Sequence, residues 1–109
     1  MSVFEHPEFD RHEAIHFFDD PSTGLRAIVA IHSTALGPAA GGCRRWQYAS
    51  DAEALTDVLR LSRGMTWKNA VAGLPFGGGK SVILAPDNRP ASAEQFREFG
   101  RRVQSLDGT

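Results

Sequence analysis

The sequence predicts an α/β fold: a mixed, mostly parallel sheet with helices packed on its faces. Three observations predict it. The stretches "LRAIVAIH" at 25–32 and "KSVILA" at 80–85 are short and nearly continuous in apolar residues, as strands covered on both faces are. Two other stretches begin at a serine with a capping partner three residues on and then carry apolar residues at spacings of three and four. The two kinds of segment alternate along the chain, which sets helices against a sheet.

Taken in order, Ile15 to Phe18 and Leu25 to His32 are two strands joined by "DDPSTG", in which Pro21 and Gly24 supply the turn chemistry. A loop, "STALGPAAGG", leads to a short strand, "CRRWQY". Ser50 caps the first helix and Glu53 reaches back to it; Leu55, Val58, Leu59 and Ser62 form its buried face, and Gly64 stops it as a left-handed cap. The glycines at 77–79 then open directly into "KSVILA". Ser92 with Gln95 repeats the starting device for a second helix, whose buried stripe is Phe96, Phe99, Val103 and Leu106.

A chain of 109 residues is one domain at most. Thirteen acidic against twelve basic residues leave a net charge of -1, so no polyanion-binding surface is indicated and nucleic acid is not an expected partner. No apolar run approaches the ~20 residues that cross a bilayer, and "MSVFEHPEFD" lacks the basic start and apolar centre of a signal peptide. The expected location is therefore cytoplasmic, with no membrane partner. Cys43 has no second cysteine to pair with and reads as a small packing residue.

Of the twelve basic residues only Lys68 and Lys80 are lysines. A GC-rich genome accounts for most of that ratio, but not for where the two lysines sit; an arginine keeps its proton, whereas a lysine titrates when buried or set beside another cation, which makes these two positions candidates for a functional amine. Both lie in "KNAVAGLPFGGGK", beside four of the eleven glycines. Three glycines in succession exceed what one turn needs and indicate that something approaches the backbone closely, with a substrate the natural candidate. Gly41 and Gly42, preceded by Ala39 and Ala40, form a second stripped segment.

Two familiar patterns are disfavoured by geometry. A phosphate-binding loop ending in Gly79-Lys80-Ser81 requires a glycine where Leu74 stands and a helix after the lysine, where a strand is predicted. The pattern "HEAIH" at 12–16 matches a zinc-protease signature only on a helix, and this segment reads as extended, with His12 and His16 on one face and Glu13 pointing away. No metal site is expected.

The segments "LGPAAGGCR", "RGMTWKNAVAGLP" and "FGGGKSVI" resemble the N-terminal substrate-binding and dimerisation domain of the Glu/Leu/Phe/Val dehydrogenases, most closely the leucine, phenylalanine and valine branch. The resemblance covers 1–109 and implies an NAD(P)-dependent oxidoreductase that deaminates an apolar L-amino acid to a 2-oxo acid and ammonia. It implies that Lys68 holds the substrate carboxylate and that Lys80 is the catalytic amine. A second amine crowded beside the first in a water-poor cleft is driven toward its neutral form and can accept a proton from the water that attacks an imine. Gly41, Gly42 and Gly78 would offer bare backbone to the substrate, and Met65 would line the pocket. Ala40 stands where glutamate-specific members carry a lysine, which disfavours a substrate with a second carboxylate. The expected partners are a small amino acid or 2-oxo acid and further copies of the chain.

The sequence ends before the family's catalytic aspartate and its Rossmann domain, and no Gly-x-Gly-x-x-Gly occurs in it. The NAD site is accordingly expected elsewhere in the enzyme, and these residues alone are expected to be inactive. Asp107 belongs to the family's turn and is not assigned that aspartate's role. The competing reading is a non-catalytic oligomerisation module derived from such an enzyme.

Overall fold

The computed structural model describes residues 3–85 and 92–106. After a single 3-10 turn at Val3–Glu5 come β1 (Ala14–Asp20), β2 (Leu25–Ser33), β3 (Ala39–Ala40), β4 (Cys43–Trp46), α1 (Asp51–Val71), β5 (Gly77–Leu84) and α2 (Ala93–Gln104). The β1–β2 turn is tied by the Asp20 carboxylate, which accepts from Thr23 Oγ1 at 2.6 Å and from Ser22 Oγ at 3.1 Å, while Gly24 takes φ 75°. That is the positive-φ turn position glycine fills at least cost.

β2 pairs antiparallel with both β1 and β5, while β3 and β4 pair parallel with the other edge of β5. The sheet is mixed, as expected, but its pairings divide evenly between the two senses, so it is not mostly parallel. The reason is the tight 20–25 turn, which forces β1 and β2 into a hairpin. α1 covers one face, where Ile28, Ala30 and Val82 meet Ala54, Val58 and Leu59. On the opposite face Leu25, Ala27 and Ile83 receive Phe18 and, from α2, Phe99.

Ser50 Oγ accepts from the Glu53 N–H at 3.2 Å and starts α1 where the sequence placed it. The helix does not stop at Gly64. It runs to Val71 and closes in a Schellman arrangement: Gly73 has φ 71°, its N–H donates to Ala70 O at 3.1 Å, and Leu74 N–H donates to Asn69 O at 3.0 Å. Pro75, just beyond, marks that end in the sequence. A helix-interior glycine costs only about 1 kcal/mol, which the packing of the following turns on β5 outweighs.

The stripe expected on α2 is not buried. Phe96 and Val103 are 54% and 40% exposed, and Phe99 is the apolar side chain that packs on the core. Beneath Val103 and Leu106 the sheet presents the small residues Ala39, Gly41, Gly79 and Ser81 beside Val29, Ile31 and Lys80, and a hollow of about 150 Å³ remains there. Ser92 Oγ caps the helix at the Gln95 N–H (3.1 Å), but the Gln95 side chain donates instead to Thr23 O at 2.8 Å and so moors α2 to the β1–β2 turn.

Candidate functional site

Glycines 77–79 are not a turn before a strand; they are the first three residues of the central strand β5. A Cβ on Gly78 would lie 2.1 Å from Thr66 N and 2.6 Å from Ser62 O, and one on Gly77 would lie 1.7 Å from Ser33 O. The backbone that approaches these glycines is therefore the protein's own: α1 presses onto Gly78 and the end of β2 onto Gly77. Gly41 is bare for the same reason, since a Cβ there would meet Gly79 O at 1.6 Å. Close packing against the protein's own backbone is by itself enough to require glycine at 41 and 78.

Gly42 differs. β3 and β4 share one register against β5, Ala40 opposite Gly78 and Cys43 opposite Ser81, so Gly41 and Gly42 form a break opposite Gly79 and Lys80. Across it the Lys80 Nζ lies 3.4 Å from where a Gly42 Cβ would stand. Side-chain alternation puts Lys80 on the same face as Gly78 and Val82, the face α1 covers. Cys43 is exposed and is no packing residue. Although the residue as a whole is exposed, partial desolvation of its thiol pushes the pKa up, against the lowering pull of nearby Lys80.

α1 runs beside this break. At one end Asp57 accepts from Arg44 Nη1 at 3.0 Å and from Tyr48 Oη at 2.5 Å; at the other, Asn69 Nδ2 donates to Ala40 O at 3.4 Å. Gly41 and Gly42 fall between these ties. Asp57, Leu61, Met65 and Lys68 follow one another at spacings of four, four and three and so share one stripe of α1, the one on which Asp57 meets Arg44 of β4. Met65 and Lys68 also border a hollow with Arg60, Leu61, Gly64 and Trp67, whereas Lys80 borders the one beneath α2. Lys68 is exposed and Lys80 half-buried, so the water-poor cleft expected around both is not closed by the described residues.

Behind the site lies a polar network that the sequence reading missed. His12, buried, accepts the Asp10 N–H on Nδ1 at 3.1 Å, which leaves Nε2 as the protonated nitrogen, 3.0 Å from both Leu59 O and Ser62 Oγ. Burial is the main cause that lowers its pKa below the ordinary 6.5. His32 spans Thr66 Oγ1 at 2.8 Å and the Asp10 carboxylate at 3.0 Å, backing the α1 turn that presses on Gly78. The segment "HEAIH" enters β1 rather than a helix, so the metalloprotease geometry is not available to it.

The antiparallel hairpin, the glycine-bearing central strand β5 and the long helix α1 packed across it define a recognisable arrangement. Residues 12–109 match the family described as Glu/Leu/Phe/Val dehydrogenase, dimerisation domain. The chain belongs to this family. It is similar to phenylalanine dehydrogenase of Caldalkalibacillus thermarum (strain TA2.A1), 54% identical over 108 residues, and to leucine dehydrogenase of Geobacillus stearothermophilus, 51% over 108 residues. Each alignment covers 99% of this chain and 29% of the relative. The crystal structure of L-tryptophan dehydrogenase from Nostoc punctiforme matches with a TM-score of 0.82 and 47% identity, over 88% of this chain and 28% of that one. The chain thus spans under a third of the length of the dehydrogenases it matches.

Proposed function

We propose that this chain is the substrate-binding and subunit-contact domain of an amino-acid dehydrogenase acting on apolar L-amino acids of the leucine, valine or phenylalanine type. The observation that carries this reading is Lys80 Nζ held over the bare backbone of Gly42, 3.4 Å from where a Cβ would stand there. Lys68, exposed on α1, takes the substrate α-carboxylate as an ion pair. Lys80 is the amine that takes a proton from the water adding to the substrate imine and returns it to the departing amine. Met65 and Ala40 border the substrate side chain; with Ala40 there, a second carboxylate finds no cation. The named relatives act on leucine, phenylalanine and tryptophan, which supports an apolar side chain.

Oxidation of the amine requires a nicotinamide cofactor, which accepts the hydride. Gly77 to Gly79 lie inside a strand and are packed shut, so they do not form the glycine turn at a helix N-terminus that holds a pyrophosphate. The cofactor is assigned to the part of the enzyme outside this chain, and no step is derived through it. That same part would close the open side of Lys68.

Calorimetric titration with 4-methyl-2-oxopentanoate and phenylpyruvate tests the reading. Lys68→Ala is expected to weaken binding at least tenfold, the scale of a lost charge-assisted contact of ~1.5–3 kcal/mol. Equal binding by both proteins would remove Lys68 from its role.

A further inference from the structure

Asn69 follows Lys68 in sequence and is 5% exposed, a primary amide in the buried stripe of a helix. Asparagine is a poor helix former, and a buried amide without partners is costly, so this residue needs a compensating role. Its Nδ2 donates to Gly77 O at 2.7 Å and to Ala40 O at 3.4 Å. Both acceptors are carbonyl oxygens, so the amide orientation is fixed by chemistry, because only the NH2 end can face them. The two carbonyls belong to β5 and β3 where those strands pair, one residue before Gly41 and at the start of the strand that leads to Lys80. The main-chain oxygen of Asn69 meanwhile accepts from Leu74 N–H, closing the helix.

We infer that Asn69 is the positioning residue of this site: one side-chain amide fixes the α1 turn bearing Lys68 against the two strand segments that lead to Gly42 and Lys80. It touches no reacting atom. Its effect is on the register between the Lys68 turn and the Gly41–Gly42 break. The inference rests on the proposed function for its ligand, but the geometry it describes exists without one.

The test compares the 109-residue chain with Asn69→Ala, Asn69→Ser and a remote core control, Val58→Ala, at a temperature where circular dichroism shows all four folded. Amide hydrogen exchange is read at Gly41, Gly42 and Gly78, together with affinity for 4-methyl-2-oxopentanoate. Both Asn69 variants should exchange at least tenfold faster at Gly41 and Gly42 and bind at least tenfold more weakly. Val58→Ala should lower the melting temperature yet leave both readouts within about twofold. Unchanged exchange at Gly41 and Gly42 in both Asn69 variants overturns the inference, as does an equal loss in Val58→Ala, which would mean that affinity and protection merely follow stability. Should the unsubstituted chain bind no 2-oxo acid, the functional reading fails, and the exchange data alone decide the role of Asn69.

Discussion

Gly78 and Gly64 show at the scale of single residues how one side chain, or its lack, is judged by what faces it. Any Cβ on Gly78 would collide with the Thr66 backbone, so Gly78→Ala must push α1 off the sheet. We expect a loss of about 2–3 kcal/mol, in the range of core overpacking, seen as a fall in the urea midpoint. Gly64 has nothing within 4 Å of the same position and sits in a helix, so Gly64→Ala should stabilise by about 1 kcal/mol. Read from the sequence, Gly64 was a helix stop and Gly78 bare backbone for a substrate; what distinguishes them in the structure is a neighbour remote in the chain, which no local pattern encodes.

The two helices differ at the scale of elements in how firmly they are held. α1 contributes Ala54, Val58 and Leu59 to the core and is tied by Asn69 and Asp57 to three strands, so its amides should exchange slowly. α2 is held mainly by Phe99 and by Gln95 to Thr23 and should exchange much faster. Phe99→Ala is expected to cost about 2–3 kcal/mol and Phe96→Ala, at an exposed position, under ~0.5 kcal/mol, by denaturant titration of each variant. The apolar period of α2 was legible in the sequence. Which of its members would find a wall to pack on was not, because that depends on the small residues of the strands beneath.

For the molecule as a whole, the buried His12 makes stability depend on pH in a direction that can be worked out. Its folded pKa lies below 6.5, so above 6.5 both states are neutral and its contribution is complete. As pH falls below 6.5 the unfolded chain binds a proton that the folded one does not, and stability declines until the lower folded pKa is passed. Asp10, His32 and Arg63 surround it and modulate the extent. The melting temperature should therefore fall between pH 7 and 5, and His12→Gln should flatten that slope while leaving the effect of Glu13, whose hydrogen bonds from Thr34 lower its pKa, at more acid pH. The sequence by itself determined the α/β class, the helix starts at Ser50 and Ser92, the hairpin turn, and the pair of lysines in glycine-rich settings, because each rests on period, capping chemistry or composition within a few neighbouring residues. Only the tertiary structure decided that the glycines serve the packing of α1 and β5 on their neighbours, that Asn69 joins the three segments around the lysines, and that parallel and antiparallel pairings are balanced. Those are matters of distance between residues far apart in the chain, settled by which backbones can approach each other once the core has formed.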